Sequence, residues 1–379
     1  MTRTKGRTSV LNAESIVDIG KGEPDFHTPP HIKEAAHNAI DANFTKYTPQ
    51  PGIPELRQAI ARKFRTENGL SVVPGQIVVS CGGKHAVDNA VRALVRPGDE
   101  VVMVTPFWFA YPEQVRLCGG TPVFVSAREE NRYVPDPDDV RAAISPKTRL
   151  VMLNSPNNPT GAVYPPVVLS ELAALVVEHD LMVIADEVYE KVVFAGATHV
   201  SMASLNGDIA ARTVTINSVS KTHAMTGWRI GYAAWPGDLA ERVTAIQSVS
   251  TSAPSAISQR AALAAFEGDQ AHVAAMVDAY AARRRFVLEC IERMPALSAV
   301  PPAGTFYCFV SIEHLVGRTF QDKPLADADD VVRLWREALG VSVVSGTGFG
   351  APRHVRMSFA VGLTALQEGL GRIERLLAE

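Results

Sequence analysis

Lys221 is the residue of this sequence best placed for covalent chemistry. It lies in a polar segment, residues 217–229, between apolar segments at 213–216 and 230–235. The apolar segments predict two buried strands, and the ends of such strands carry functional residues in α/β proteins. Partial burial beside a second cation, Arg229, lowers the pKa of a lysine, and its neutral amine attacks carbonyl carbon to form a Schiff base. The alternative for an isolated lysine is a solvated surface residue.

Gly82, Gly83 and Lys84 open a predicted helix directly after an apolar strand at 77–80. The glycines permit close backbone approach, and a helix N-terminus offers free amides and the positive end of its dipole. The pattern is therefore typical of a phosphate cradle, and equally of a structural turn. The spacing of a P-loop is absent, which excludes that class of nucleotide site.

Two further segments follow apolar strands. Residues 153–161 form a loop fixed by prolines and a glycine, whose asparagine amides can donate to a phenolate or a carboxylate. The alternative is a plain turn. Asp186 ends the apolar strand at 182–185, and a carboxylate buried there needs a cationic partner such as a protonated ring nitrogen. A helix N-cap or a structural salt bridge is the competing interpretation.

The C-terminal part contains a glycine-rich segment and an arginine of interest. Residues 346–350 superficially resemble a dinucleotide loop, but residues 353–359 predict a strand and not a helix, which excludes a Rossmann site. Arg356 alternates with apolar residues on that strand. It is either an exposed edge arginine or a bidentate clamp for a carboxylate.

Net charge, cysteine spacing and the lengths of the apolar stretches indicate the class of protein and its location. The chain has 379 residues with a net charge of −3, which gives no reason to expect nucleic acid or an anionic membrane as a partner. The four cysteines lie far apart without a C-x-x-C pair, which fits a reducing compartment. No apolar stretch follows the basic N-terminus, and none is long enough to span a bilayer. A cytoplasmic protein is expected.

Strands that alternate with helices from residue 76 predict an α/β fold with a mostly parallel sheet between helices. The C-terminal part mixes strands and helices as a smaller α+β domain. The expected boundaries are 1–44 for an N-terminal arm and part of the small domain, 45–270 for the large domain and 271–379 for the small domain. An amphipathic helix is predicted over 31–43, with one face formed by Ile32, Ala35, Ala36, Ala39 and Ile40.

These segments occur in an order that resembles one family. The motifs are Gly22-Glu23-Pro24-Asp25-Phe26, Lys46-Tyr47-Thr48-Pro49, Gly82-Gly83-Lys84, Phe107-Trp108, Ser155-Pro156-Asn157-Asn158-Pro159-Thr160-Gly161, Asp186-Glu187-Val188-Tyr189, Ser220-Lys221 with Gly227-Trp228-Arg229-Ile230-Gly231, and Val355-Arg356-Met357-Ser358. The chain is similar to class I/II aminotransferases, pyridoxal-phosphate (PLP) enzymes of fold type I, and most similar to the bacterial aspartate aminotransferase branch. The resemblance implies the PLP-dependent transferase fold, with a seven-stranded sheet in the large domain.

The resemblance also implies roles for individual residues. Lys221 would join PLP and move the proton at the substrate Cα, Asp186 would pair with the ring nitrogen, and Trp108 would stack on the ring. Hydrogen bonds to the ring hydroxyl would come from Tyr189 and Asn158. The phosphate would be held by the backbone amides of Gly83 and Lys84 and by Ser218, Ser220 and Arg229. The substrate would be bound by Gly22, Trp108, Asn158 and Arg356.

The sequence also bears on the oligomeric state and on the choice of substrate. By resemblance, Tyr47 would reach the phosphate of a neighbouring subunit, which implies a homodimer with shared active sites. Only about fifteen residues precede the first predicted strand, so we expect an N-terminal arm shorter than in the aspartate aminotransferase branch, with an effect on substrate choice. The Lys84 ammonium is a candidate for a distal substrate carboxylate, with a surface lysine as the alternative.

Three functions compete at this level. The first is ping-pong transamination between an α-amino acid and a 2-oxo acid, with aspartate and 2-oxoglutarate or related acids as substrates. The second is another PLP reaction on an amino acid: a β-lyase, a decarboxylase or an oxidase in a biosynthetic pathway. The third is a non-catalytic scaffold, which the presence of Lys221, Asp186 and Arg356 disfavours.

Overall fold

A computed structural model of the chain describes residues 16–320 and 322–378. The predicted short N-terminal arm lies outside the described residues. No described helix combines the length and the apolar character that crossing a membrane requires.

The bounds of the regular elements are as follows. The strands are β1 (Val17–Asp18), β2 (Ile77–Ser80), β3 (Glu100–Thr105), β4 (Thr121–Ser126), β5 (Thr148–Asn154), β6 (Met182–Asp186), β7 (Thr213–Ser218), β8 (Gly231–Ala234), β9 (Ser298–Ala299), β10 (Tyr307–Ser311), β11 (Thr319–Phe320), β12 (Lys323–Pro324), β13 (Val341–Ser342), β14 (Val344–Ser345) and β15 (His354–Ser358). The helices are α1 (Pro30–Asp41), α2 (Pro54–Asn68), α3 (Gly83–Leu94), α4 (Ala110–Leu117), α5 (Pro137–Ala143), α6 (Pro166–Glu178), α7 (Gly207–Ala210), α8 (Val219–Thr222), α9 (Leu239–Ser248), α10 (Ala256–Glu267), α11 (Ala271–Glu292), α12 (Ala328–Leu339) and α13 (Leu363–Leu377).

The central element is a seven-stranded sheet in the order β2-β8-β7-β6-β5-β3-β4. Only β8 runs antiparallel to its neighbours β2 and β7, so the predicted mostly parallel sheet is confirmed. Helices cover both faces because the strands are apolar on both sides. On β5, Leu150 and Met152 pack towards α3 and α9, whereas Val151 and Leu153 pack towards α6. This sandwich brings the carboxyl ends of β2, β5, β6 and β7 to one edge.

The smaller α+β unit is built on the antiparallel sheet β14-β15-β10-β9. Its core packs this sheet against α11, α12 and α13. Near the N-terminus, β1 pairs with β13 of this unit, whereas α1 packs with α2 and α10 beside the large sheet. The order and type of these elements position Arg356, on β15, opposite the edge that carries the strand-end loops.

Three local predictions differ from the structure. Lys221 lies in the single helical turn α8 and not in a loop. Helix α1 begins and ends earlier than predicted. Ile40 is half exposed, because only Ile32, Ala36 and Ala39 of this helix point into the core. Helix α9 was not predicted, since its apolar positions are interrupted by polar residues and contact only one side of α3 and β2.

Candidate active site

A cavity of about 630 Å³ opens at the edge where the strands of the large sheet end. It is enclosed on one side by the loops after β2, β5, β6 and β7, and on the other by Tyr307 and Arg356 of the small unit. The structure brings most of the sequence-predicted site residues to its walls. These are Gly22, Gly83, Lys84, Trp108, Asn158, Asp186, Tyr189, Ser218, Ser220, Lys221, Arg229 and Arg356.

Asp186 lies at the end of β6, buried at the floor of this cavity. Its carboxylate accepts a hydrogen bond from the Tyr111 hydroxyl at 2.6 Å and one from the backbone N–H of Val188 at 3.2 Å. Burial raises the pKa of Asp186 to about 6, although both hydrogen bonds act in the opposite direction. Among the described residues no cation forms an ion pair with it, so the carboxylate is set to receive a positively charged N–H from a ligand.

Lys221 extends from α8 into the same cavity. Its ammonium donates to the carbonyl oxygen of Gly22 and lies 5.9 Å from the ring centre of Tyr189. Burial lowers the pKa of Lys221, and the nearby guanidinium groups of Arg356 and Arg229 lower it further. A lysine with a lowered pKa has a larger neutral fraction near pH 7, which is the form that attacks carbonyl carbon.

An anion cradle lies at the N-terminus of α3. Gly82 has a left-handed backbone (φ 90°) and is packed so tightly that a Cβ there would lie 2.2 Å from the Arg229 guanidinium. A Cβ on Gly231 would lie 2.3 Å from the backbone nitrogen of Gly83, so β8 can approach the helix start only as glycine. The first amides of α3 and the Ser218 side chain face this space, which suits a phosphate.

Arg229 contributes an uncompensated positive charge to the cradle. Its guanidinium donates to the backbone carbonyl of Thr226 at 2.7 Å and approaches that of Cys81 at 3.4 Å. No acidic side chain among residues 16–320 and 322–378 forms an ion pair with it. The cradle therefore combines helix amides with a cation that has no counter-ion among the described residues, which suits a bound dianion.

Arg356 forms a second anion site on the opposite wall. Arg356 itself is buried and β15 lies between β14 and β10, which excludes the alternative of an exposed edge arginine. The guanidinium donates to the Asn158 side-chain oxygen at 2.9 Å and to the Gly20 carbonyl at 3.1 Å, and it stacks 4.2 Å from the ring centre of Tyr307. Its buried Nε has no partner in the described part of the chain. Donors left free in this way suit a carboxylate.

The family model for aminotransferase class I and II matches residues 14–373 of this chain. The chain belongs to that family.

Relatives and solved structures agree with this assignment. The aspartate aminotransferase of Geobacillus stearothermophilus is 41% identical over 362 residues, which cover 96% of this chain and 91% of the relative. The aspartate/prephenate aminotransferase of Thermus thermophilus is 44% identical over 367 residues, with 96% and 91% covered. The solved aspartate aminotransferase from Thermus thermophilus with maleate has a TM-score of 0.90 at 43% identity, covering 96% of this chain and 92% of that one.

This aminotransferase is a PLP-dependent enzyme that transfers amino groups between amino acids and 2-oxo acids. Its cavity fits the cofactor. The buried Asp186 lacks a cationic partner among the described residues, and the cradle at Gly82 and Gly83 leaves the Arg229 charge uncompensated. The pyridinium nitrogen of PLP would pair with Asp186, and its phosphate dianion would pair with Arg229. The amine of Lys221 lines the same cavity.

Tyr47 is the one predicted site residue of this aminotransferase that the structure places away from the cavity. Its side chain is 99% exposed. The resemblance implied that it serves the site of a neighbouring subunit, and its position outside its own cavity is compatible with that role.

Sequence reasoning missed three residues that shape the site of this aminotransferase. Tyr111 donates to Asp186, and the hydroxyl groups of Tyr307 and Tyr189 lie 2.9 Å apart. Asn154 donates to the backbone carbonyl of Asp186 at 2.9 Å and accepts from the Asn158 N–H at 2.8 Å. Tyr111 follows the Phe107-Trp108 motif within one helical turn, which was an available signal. Tyr307 lies on a strand without any motif.

Proposed function

We propose that this aminotransferase uses dicarboxylic substrates, with aspartate as amino donor and 2-oxoglutarate as acceptor. The observation that supports this is a second cation in the cavity besides the Arg356 clamp. The Lys84 ammonium lies 4.9 Å from the ring centre of Trp108 and 5.4 Å from that of Phe109, and none of the described acidic side chains pairs with it. A substrate with carboxylates at both ends satisfies both cations. Relatives named aspartate aminotransferase, and one solved with maleate, support this proposal.

Apart from Tyr47, the residues that the family resemblance assigns to the cofactor all line this cavity. Asp186 would hold the ring nitrogen, Tyr189 and Asn158 would hydrogen-bond the ring hydroxyl, and Trp108 would stack on the ring. The phosphate would be held by the backbone amides of Gly83 and Lys84 and by Ser218, Ser220 and Arg229. When bound, PLP supplies an aldehyde carbon that accepts the amino group and a protonated ring that withdraws electrons from the substrate Cα.

The chain's own residues then bind the substrate and move its proton. Arg356 and Asn158 orient the α-carboxylate, and the backbone of Gly22 closes the site near Lys221. The amine of Lys221 would take the proton from the substrate Cα and deliver it to the aldehyde carbon of bound PLP. Among the described lysines of the cavity, it alone is partly buried and has a lowered pKa. The Tyr189 hydroxyl lies 2.9 Å from that of Tyr307 on this wall.

Substitution of Lys84 tests the choice of substrate. We expect Lys84→Gln to lower kcat/KM for aspartate by about tenfold to a hundredfold, since a charge-assisted contact contributes about 1.5 to 3 kcal/mol. The value for alanine, which has no second carboxylate, should stay unchanged. Steady-state kinetics with 2-oxoglutarate as acceptor would measure both.

Lys21 provides the matched control, because it lines the same cavity and is exposed as Lys84 is, but it does not lie over the Trp108 and Phe109 rings as Lys84 does. We expect Lys21→Gln to retain the preference for aspartate over alanine. An equal loss for aspartate and alanine in Lys84→Gln, or loss of the preference only in Lys21→Gln, would contradict the assigned role of Lys84.

The enzyme is a homodimer with shared sites in this proposal. The fully exposed Tyr47 lies outside the cavity of its own chain, which supports a role in the cavity of a second copy. Sedimentation equilibrium should give the mass of two chains. A stable, active monomer would contradict the shared site.

A cytoplasmic location completes the proposal. All four cysteines are free, and Cys290 and Cys308 are buried apart from each other in the small unit. Free thiols of this kind fit a reducing compartment. Recovery of the activity in the membrane or extracellular fraction of cells would contradict it.

A further inference from the structure

Three polar side chains meet where the segment between β4 and α5 contacts the small unit. The Tyr133 hydroxyl donates to the Glu129 carboxylate at 2.8 Å and lies 3.0 Å from Nε2 of His354. The same Nε2 lies 3.2 Å from the Glu129 carboxylate. We call these three residues the Tyr133 cluster. None of them lines the active-site cavity.

The hydrogen atoms in the Tyr133 cluster can be assigned from this geometry. Tyr133 has one hydroxyl hydrogen, and it points to Glu129, which can only accept when ionised. His354 must therefore carry a hydrogen on Nε2 to contact both oxygens favourably. The hydrogen bond from His354 is the main cause that lowers the pKa of Glu129, with that from Tyr133 acting in the same direction. Every polar atom at the centre of the cluster is thus satisfied.

The backbone adopts an uncommon conformation to place the Tyr133 ring. Arg132 and Tyr133 both have left-handed conformations, with φ of 55° and 58°. Two consecutive non-glycine residues in this region cost about 1 to 2 kcal/mol each. The Tyr133 side chain is nevertheless buried, with its ring 5.9 Å from that of Phe309 in the small unit. The contacts of this ring with the small unit offset that cost.

The Tyr133 cluster is connected to Arg356 through packed side chains. His354 and Arg356 lie two residues apart on β15, so their side chains share one face of the strand. Phe309 is the register partner of Arg356 on β10, and its ring stacks on that of His354 at 4.7 Å with an interplanar angle of 8°. Phe309 also contacts Phe349, whose ring centre lies 5.1 Å from the Arg356 guanidinium.

We propose that Glu129, Tyr133 and His354 are positioning residues for substrate binding. They dock β15 against the segment between β4 and α5, and so fix the place of Arg356 relative to the cofactor cradle. The proposal rests on the proposed function of Arg356 as the clamp for the substrate carboxylate. Loss of the docking contact reduces the fraction of molecules in which Arg356 is aligned, which weakens substrate binding in proportion.

The variant Tyr133→Phe keeps the ring and removes only the hydroxyl. In the PLP-loaded enzyme, we expect it to raise KM for the best amino donor by about twofold to tenfold, the effect of one lost hydrogen bond, with kcat unchanged. Steady-state kinetics would measure KM and kcat separately, and thermal unfolding of the same samples would show that the fold is intact. If Tyr133→Phe does not fold, His354→Leu gives the same readout.

Tyr280→Phe is a matched control, because the buried Tyr280 hydroxyl has no hydrogen-bond partner among the described residues. We expect it to leave KM unchanged. An equal KM for Tyr133→Phe and Tyr280→Phe would overturn the proposal, as would a fall in kcat without a change in KM.

Arg356→Gln separates a failure of this proposal from a failure of the proposed function. It should raise KM strongly, and an unchanged KM would remove the clamp role itself. In the Arg356→Gln background, Tyr133→Phe should have no further effect on KM, because both changes act on one contact. Suppose that Arg356→Gln raises KM, and that adding Tyr133→Phe raises KM by the same factor as Tyr133→Phe does in the wild-type enzyme. The Tyr133 cluster then does not act through Arg356.

Discussion

Lys221→Ala is expected to abolish turnover and the visible absorbance of the lysine-bound cofactor while the fold is retained. Proton transfer by a positioned side chain contributes about 10²- to 10⁴-fold to a rate, and loss of the covalent attachment adds to this. The fold should tolerate the change, because among the described groups the Lys221 ammonium donates only to the Gly22 carbonyl. Absorbance spectra, single-turnover kinetics and circular dichroism would measure the three effects.

Lys221→Arg and added amines provide the controls for this prediction. Arginine keeps the positive charge but stays protonated, so Lys221→Arg should be as inactive as Lys221→Ala. Methylamine should restore part of the activity of Lys221→Ala, since it supplies an amine in the space left by the side chain. Wild-type turnover in Lys221→Ala would show that another residue carries the chemistry.

Asp186→Ala is expected to reduce kcat/KM by about 10²- to 10⁴-fold. Removing one member of a buried charge pair costs about 3 to 5 kcal/mol, and each 1.36 kcal/mol corresponds to a factor of ten in rate. Asp186→Asn keeps an acceptor for Tyr111 and Val188 but loses the charge. An equal loss in both variants identifies the charge as the cause. An active Asp186→Asn beside an unfolded Asp186→Ala would make Asp186 a structural residue instead.

The raised pKa of Asp186 gives this site a pH dependence of known sign. In the cofactor-free protein, burial raises that pKa to about 6, so the carboxyl takes up a proton as the pH falls through 6. A protonated ring nitrogen stabilises the ionised form and lowers the pKa in the complex. Cofactor affinity should therefore be full above pH 6 and decrease below it in the wild-type enzyme. In Asp186→Asn the affinity should lack this decrease.

The sequence could predict the site residues at the ends of the strands, because the position of each is determined by its own short segment. Short sequence patterns indicate each of them: a glycine pair before a helix, an aspartate that ends an apolar strand, and a lysine between two strands. Parallel strands then bring Gly83, Asp186 and Lys221 to one edge of the sheet without further information. The family resemblance supplied the remaining roles, which no spacing alone indicates.

Contacts between distant segments could not be predicted in this way. The hydrogen bond from Tyr111 to Asp186 joins residues 75 apart, and the contact between Tyr133 and His354 joins residues 221 apart. Neither contact follows from local spacing. The packing of α4 against β6 places Tyr111 beside Asp186, and the docking of β15 places His354 beside Tyr133. The exposure of Ile40 was missed for a related reason: helix periodicity gives a face, but tertiary packing decides how wide that face is.

The half-reaction of the purified, PLP-loaded enzyme with aspartate tests the central claim most directly. In the absence of any 2-oxo acid, a transaminase that uses aspartate should lose the absorbance of its lysine-bound cofactor and form one oxaloacetate per active site, and 2-oxoglutarate should restore the spectrum. Other amino acids in a panel should react more slowly. Oxygen uptake would contradict transamination by this site. So would carbon dioxide, or pyruvate together with ammonia, formed in repeated turnovers beyond one equivalent per active site.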